Sequence, residues 1–448
     1  MALPTLASLA ADLESGRVTA RKLVEECLDK IEDSSGEGAR TFVSVDKQGA
    51  VGAADAMDRL RKANKAPSPF AGIPISIKDL FDVKGQVTRA GSRALEDAPA
   101  AVRDAPAVER LRRAGFVLIG RTNMTEFAYS GLGINPHYGT PKSAFRRDIG
   151  FVPGGSSSGA AISVIDGMSH GALGSDTGGS CRIPAAFNGL VGFKPTQRRV
   201  PREGVVPLST SLDSIGPIAR TVECCAALDA ILADQPASLV KKRALKGLRL
   251  LVPRTVFTDG LDEAVSNAFS RSLRLLSEAG ALIVEHAVPE FGEIGSLLAN
   301  GGFTAAESYA WHSKLLIEKG ETYDPHVFAR IRRGLKISAP EYIKLISARQ
   351  SLIERVYRGI SEFDAILAPT TAIAAPRISD VVADPGFTEA NARVLRNCTL
   401  INFIDGCAVS LPAHRDGEAP IGIMLSSRAG VDRELFDLAA AVEGVLRA

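Results

Sequence analysis

Two glycine- and serine-rich segments hold the residue types best suited to nucleophilic chemistry. They are Pro-Gly-Gly-Ser-Ser-Ser-Gly-Ala at 153–160 and Gly-Ser-Asp-Thr-Gly-Gly-Ser-Cys-Arg-Ile-Pro-Ala at 174–185. A flexible linker would share the composition of the first segment. However, an apolar run follows directly at 160–165, which a linker would not do. Small residues also permit tight turns, so that the backbone amides at the start of a helix can approach a ligand closely. The pattern therefore favours a functional loop.

Two familiar motifs resemble the first segment in part. A phosphate-binding P-loop would need Lys and then Ser or Thr after Gly159, but Ala160 stands there. The Gly-x-Ser-x-Gly elbow of α/β hydrolases matches 155–159, but it needs an acid and a late histidine. His414 is the only histidine in the last hundred residues, and the second segment would have no role. We therefore set both motifs aside.

Ser180 is the candidate nucleophile of the second segment. The unencumbered amides around it could form an oxyanion hole for a tetrahedral intermediate. No histidine is available as a base, since His170 is expected to be a packing or surface residue. Lys78 follows the apolar run 73–77, where a desolvated amine with a lowered pKa could act as the base. A lysine in a surface turn is the alternative.

Short apolar strands alternate with amphipathic helices along the chain, which predicts an α/β structure around a mixed sheet. A helical pattern over 6–31 has Ser8 and Thr19 as candidate N-caps. Cys224 and Cys225 lie in an apolar helix-like stretch, where buried free thiols are expected. The further predicted elements are strands at 74–77, 116–120, 248–252, 281–285, 364–367 and 419–425, and helices at 105–114, 261–279 and 434–446.

The composition describes a compact globular protein. The chain has 448 residues, 45% hydrophobic and 23% charged, with a net charge of +2. No basic cluster suggests nucleic acid, and no apolar run or leader suggests a membrane or export, so a cytoplasmic protein is expected. The six cysteines and six histidines are scattered without metal-ligand spacing, so neither a metal nor another cofactor is expected.

Taken together, these motifs resemble the amidase-signature family. The resemblance covers nearly the whole chain and implies one domain over 1–448 with a mixed central sheet wrapped by helices. The matching segments are Gly-Ile-Pro-Ile-Ser-Ile-Lys-Asp at 72–79, the serine segments at 153–159 and 174–196, Gly-Arg-Thr-Asn-Met-Thr-Glu-Phe at 120–127, Asp-Ser-Ile-Gly-Pro at 213–217 and Ala-Pro-Thr at 368–370.

The resemblance also implies catalytic roles. Lys78 would be the base, Ser180 the nucleophile, and Ser156 the relay, with a cis peptide bond before it. Together with Ser180, the expected oxyanion amides are those of Thr177, Gly178 and Gly179.

Three neighbouring residues are expected to support this unit. Ser157 would hold its loop by hydrogen bonding. Asp176 and Arg182 would hold the nucleophile loop, which is the part of the 174–185 segment that carries Ser180. Arg182 could instead bind a substrate carboxylate, so both roles stay open.

Several functions fit this resemblance. The leading hypothesis is a stand-alone hydrolase of a small amide, with no nucleic acid or membrane partner. The alternatives are the glutamine-hydrolysing component of a tRNA-dependent amidotransferase, a deaminase or urea-like amide hydrolase using the same site, and a non-catalytic binding protein. No polar glutamine pocket is evident in 300–410. The substrate stays open, as does the oligomeric state, with which a homodimer is compatible.

Overall fold

One mixed β-sheet runs through the described part of the computed structural model, residues 4–236 and 240–447. Its strand order is β1-β3-β2-β4-β6-β5-β10-β11-β9-β7-β8, and strands from both ends of the chain take part. The strands are β1 (Phe42–Val45), β2 (Pro74–Lys78), β3 (Val117–Thr122), β4 (Ala172–Asp176), β5 (Val191–Lys194), β6 (Ser214–Ala219), β7 (Arg249–Pro253), β8 (Leu282–His286), β9 (Ala365–Pro369), β10 (Cys407–Pro412) and β11 (Gly422–Ser427).

Helices cover the sheet. Strands β2, β4, β5, β6 and β9 are buried along their whole length, as expected for strands with both faces covered. This architecture confirms the predicted α/β class. The helices are α1 (Leu6–Glu14), α2 (Ala20–Glu32), α3 (Gly38–Thr41), α4 (Lys47–Lys62), α5 (Pro106–Arg113), α6 (Ser158–Ile165), α7 (Arg182–Ala186), α8 (Val222–Leu232), α9 (Glu263–Glu278), α10 (Glu290–Leu298), α11 (Gly302–Lys319), α12 (Pro325–Arg332), α13 (Ala339–Gly359), α14 (Ile378–Val381), α15 (Gly386–Phe403) and α16 (Asp432–Leu446).

The pairing of β2 with β4 sets the position of the candidate site. The two strands are parallel, with Ser76 opposite Ala172 and Ile77 opposite Leu173. Parallel neighbours end at the same edge of a sheet. Lys78, the last residue of β2, therefore lies beside the end of β4, where the nucleophile loop begins.

The N-terminal helical pattern forms two helices, α1 and α2. Thr19 caps α2 as predicted, accepting from the Lys22 amide. The cap of α1 is Thr5 rather than Ser8, because Ser8 occupies the third helical position and completes a capping box with Thr5. In the described residues, no helix has the length and apolar character needed to cross a bilayer.

Strand β11 begins later than the sequence pattern predicts. The apolar run at 419–425 suggested a strand over those residues, but pairing with β10 starts at Gly422 and continues to Ser427. Pro420 has no amide hydrogen to give a neighbouring strand, which makes it a poor start for a paired segment. Cys224 and Cys225 lie on α8 as predicted, and all six cysteines are buried free thiols.

Candidate active site

Lys78 is a fully buried lysine at the end of β2. Its Nζ contacts the Ser156 Oγ at 2.7 Å and the Ser175 Oγ at 2.8 Å. No carboxylate forms an ion pair with it in the part of the chain that is described. Burial lowers the pKa of Lys78 from 10.5 to about 7, because the charged amine loses solvent without gaining an anion. The amine is therefore available in its neutral form near pH 7.

The first serine segment lies against both Lys78 and the nucleophile loop. The Gly155–Ser156 peptide bond is cis, as the resemblance implies. Ser157 donates its amide hydrogen to the Ser180 carbonyl at 3.3 Å and its hydroxyl hydrogen to the Ser175 carbonyl at 3.3 Å. Helix α6 begins at the next residue, so the glycine-serine segment is a rigid entry into a buried helix and not a linker.

A buried ionic network holds the loop between β4 and α7. The two Asp176 carboxylate oxygens accept from the Arg182 side chain at 2.8 and 3.0 Å and from the Asn402 amide at 3.0 Å. Burial by itself would raise the pKa of Asp176, but Arg182 and these hydrogen bonds hold the pKa well below its usual range. Asp176 therefore stays charged and paired with Arg182, and its charge offsets only part of the lowering of the Lys78 pKa by burial.

This network decides between the two roles considered for Arg182. The side chain is completely buried, and its Nη2 donates both to Asp176 in the ion pair and to the Asn402 side chain, while Nη1 lies against the Met424 sulfur. No solvent-facing donor is left to meet a substrate. Arg182 is thus a structural partner of the nucleophile loop, and the carboxylate-binding alternative fails for it.

The loop amides divide into two groups. The Gly179 amide was expected to donate to the oxyanion. It instead donates to Asp176 Oδ1 at 2.8 Å and is therefore not free to do so. Gly179 instead has a conformational role, with a φ of +123° that disfavours any side chain. Among the described residues, the amides of Thr177, Gly178 and Ser180 have no acceptor, which leaves them available to an oxyanion.

A cavity of about 190 Å³ opens over this loop. Thr177, Gly178 and Ser180 form one side of it, and Gly179 does not reach it. The opposite wall includes Arg330 and several apolar side chains, among them Leu212 and Leu395. The candidate nucleophile and the free loop amides therefore face the same small cavity.

Asp213 supports the wall of this cavity from behind Thr177. It accepts the Thr177 hydroxyl at 2.6 Å and backbone amides of Leu208 and Ser209 at 3.0 Å. Burial raises the pKa of Asp213 to about 6, and these hydrogen bonds limit the rise. Asp213 lies within the 213–217 segment singled out above, and its contacts give that segment a structural purpose.

His170 lies outside the candidate site. It is buried, its ring nitrogen lies 3.9 Å from the Cys27 sulfur, and burial lowers its pKa to about 3. The ring is a neutral packing group, in line with one of the two roles expected for it. Among the described residues, no three His, Cys, Asp or Glu side chains are grouped as a metal site would require.

Sequence reasoning missed three residues of this region. Ser175, the second partner of Lys78, lies inside the quoted 174–185 motif but carried no signal of its own. Asn402 interrupts the apolar run at 400–404, and a single polar residue in a buried helix face is a recognisable signal. Arg330 had no signal, because only the tertiary structure brings α12 to the cavity.

Comparison with known proteins gives the family. The model of the Amidase family matches residues 22–436. A 2-amino-5-chloromuconic acid deaminase of Comamonas testosteroni is 34% identical, covering 99% of this chain and 96% of that protein. The A-type subunit of a glutamyl-tRNA(Gln) amidotransferase from Lacticaseibacillus paracasei is 33% identical, covering 97% and 95%. A solved amidase structure superposes with a TM-score of 0.88 at 31% identity, covering 98% of this chain and 99% of that one.

Proposed function

The chain belongs to the amidase-signature family of carbon–nitrogen hydrolases, and we propose that it cleaves a small carboxamide through an acyl-enzyme on Ser180. The observation that carries this proposal is the 2.7 Å contact between Lys78 Nζ and Ser156 Oγ. In the proposal, Lys78 is the base and Ser156 the relay to Ser180.

The first half-reaction forms the acyl-enzyme. Neutral Lys78 accepts the hydroxyl proton of Ser156, which accepts the proton of Ser180 as the Ser180 oxygen attacks the amide carbon. The amides of Thr177 and Gly178, with that of Ser180, donate to the oxyanion. The carbon–nitrogen bond then breaks, Ser156 gives a proton to the departing ammonia or amine, and Lys78 returns its proton to Ser156 and is neutral again.

The second half-reaction releases the acid. A water molecule gives a proton to Ser156 and forms the new carbon–oxygen bond, and the Ser180–carbon bond breaks as Ser180 regains its proton. The hydrogen bonds between Asp176 and Arg182 keep the loop in place throughout. Neither residue takes part in the proton transfers, because neither has a donor or acceptor to spare for the substrate.

Ammonia release from a panel of aliphatic, aromatic and carboxylate-bearing amides tests the proposal. Ser180→Ala should lower the rate by roughly 10⁴-fold or more and leave the melting temperature within about 2 °C, because the Ser180 side chain makes no hydrogen bond among the described residues. The matched control is Ser158→Ala in the adjoining serine run, whose hydroxyl lies 3.5 Å from the Asn123 carbonyl. A Ser180→Ala enzyme with near-normal turnover would overturn the assignment.

Two relatives favour a second candidate each. The Comamonas deaminase suggests that the same residues release ammonia from an amino-substituted unsaturated acid. The Lacticaseibacillus amidotransferase suggests glutamine hydrolysis within a larger assembly. Ammonia release from 2-aminomuconic acids alone would favour the first, and activity on glutamine alone that rises with partner subunits would favour the second.

A further inference from the structure

Arg330 is a cavity-lining arginine that lacks an acidic partner in the described chain. It lies on α12, and its guanidinium stacks over the Tyr129 ring at 4.8 Å from the centroid. Within residues 4–236 and 240–447, its side chain makes no hydrogen bond and no ion pair. Burial lowers the pKa of Arg330, but an arginine stays charged at any physiological pH. The cavity therefore holds a permanent positive charge with unused donors.

The two buried arginines among the described residues, unlike the half-buried Arg330, each lie beside a carboxylate. Arg182 is paired with Asp176 at 2.8 Å, and Arg121 lies 3.5 Å from Asp79. Leaving a partly desolvated guanidinium without an anion costs stability. Arg330 lies beside the candidate nucleophile, where an anionic ligand could pair with its charge and remove this destabilisation.

The position of Arg330 is fixed from both sides. The buried Glu126 carboxylate accepts the backbone amide of Asp324 at 2.7 Å, which anchors the start of α12. Glu126 also precedes Tyr129, the ring beneath the guanidinium, and accepts from Ser92 at 2.6 Å. One carboxylate thus ties together the helix that carries Arg330 and the segment that supports it.

The lining of the cavity has a one-sided charge. Arg330 and Arg333 are both present, and no Asp or Glu belongs to the lining. Arg333 is exposed and donates to the Ala299 carbonyl at 2.9 Å, so Arg330 is the inner of the two charges. A carboxylate would be attracted to this space, whereas an ammonium group would find no anionic partner there.

We infer that Arg330 binds a carboxylate on the acyl half of the substrate. The substrate class is then a short amide that carries a carboxylate and lacks an α-ammonium group, such as the monoamide of a small dicarboxylic acid. The inference rests on the proposed function, because it takes Ser180 as the acylated residue. A guanidinium can bind a carboxylate through two parallel hydrogen bonds, which would also orient the amide toward Ser180.

Matched amides test this inference. The panel pairs succinamate and glutaramate with the neutral amides butyramide and valeramide, and adds glutamine. Wild type should prefer the carboxylate-bearing member in kcat/KM, and glutaramate over glutamine. Arg330→Met should lower kcat/KM for the carboxylate amides roughly 10- to 150-fold and change the neutral amides less than about threefold. Arg330→Lys should keep part of the preference, since it retains the charge but not the fork geometry.

Arg332→Met is the matched control. Arg332 is exposed on the same helix, stacks over Phe328 and does not line the cavity. It should leave the preference unchanged. If Arg330→Met does not fold, Arg330→Gln replaces it, because glutamine keeps a hydrogen-bond donor without the charge.

Binding of glutarate by calorimetry separates failure of the inference from failure of the proposed function. Ser180→Ala should bind glutarate like wild type, and Ser180→Ala with Arg330→Met should bind it at least 10-fold more weakly. Equal glutarate binding with and without Arg330 overturns the inference, as does an unchanged preference in Arg330→Met or a preference for glutamine. Loss of Ser180-dependent turnover on every amide would instead overturn the proposed function, and the binding comparison would still test Arg330.

Discussion

Replacing Lys78 with methionine should change how both activity and stability depend on pH. For the wild type, we expect kcat/KM to rise with pH through a midpoint near 7, because only the neutral amine can accept a proton from Ser156. The Met variant should lose this limb along with nearly all turnover. Methionine has a similar length and is at ease in a buried site.

The effect on stability follows from the pKa of Lys78 in the two states. It is about 7 in the folded chain and 10.5 in the unfolded chain. Between these values the unfolded chain binds more protons, so stability rises with pH across that window and is lowest below pH 7. Each pKa unit corresponds to about 1.4 kcal/mol, so the free energy of unfolding should rise by a total on the order of 5 kcal/mol across this window.

The Met variant lacks this proton-linked term. At pH 6 it should therefore be more stable than the wild type. The gain is reduced by the loss of the hydrogen bonds to Ser156 and Ser175. As pH rises toward 10, the advantage should shrink by a few kcal/mol.

Urea unfolding of both proteins at intervals from pH 6 to pH 10 measures the stability term, and initial rates from pH 5 to pH 9.5 measure the activity limb. Asp213 also titrates in this range, since burial raises its pKa to about 6. Asp213→Asn serves as the control for the activity profile, because it removes this second titrating group and should leave the limb that depends on Lys78. Parallel pH–stability curves for wild type and Lys78→Met, or an activity limb near 10, would refute the reasoning.

Two further substitutions probe the nucleophile loop. Asn402→Ala should destabilise the protein by about 2–4 kcal/mol and reduce kcat, because Asp176 and Arg182 would each lose a buried hydrogen-bond partner; urea unfolding and steady-state kinetics measure the two effects. Gly179→Ala should lower kcat/KM at least 100-fold, because its φ is +123° and a new Cβ would lie 2.6 Å from the Cys398 Cβ; kinetics on the best amide measure the loss.

Each of these changes has a neighbour as its control. Asn397→Ala removes a buried amide on the same helix as Asn402, one that donates to the carbonyls of Phe257 and Pro369, so it should cost stability with less effect on kcat. Gly178→Ala adds a methyl group without a positive φ, at 3.2 Å from Thr399 Oγ1, and should be milder than Gly179→Ala. Equal kinetic effects within either pair would contradict the roles assigned to these residues.

Local chemistry explains why much of the site could be predicted. Glycine-rich turns, a serine run entering a helix and a lysine at the end of an apolar strand are properties of contiguous residues, and the structure has each of them at 153–160, 174–185 and 73–78. The alternation of strands and helices likewise predicted the α/β class. The cap of α2 at Thr19 followed from one side chain and the helix beside it.

Contacts between distant segments could not be predicted in this way. Lys78 meets Ser175 because β2 and β4 are parallel neighbours, and Asn402 reaches Asp176 from a helix 226 residues away.

The sequence by itself determined which residue types and turns the site would contain, because these depend on backbone conformation and side-chain chemistry within a few residues. Only the tertiary structure decided which donors stay free, which charges are paired and which arginine faces the cavity. It buried Arg182 in an ion pair and left Arg330 without an acid among the described residues. Burial and pairing set the energy of a charge, and both depend on segments that fold together from far apart in the chain.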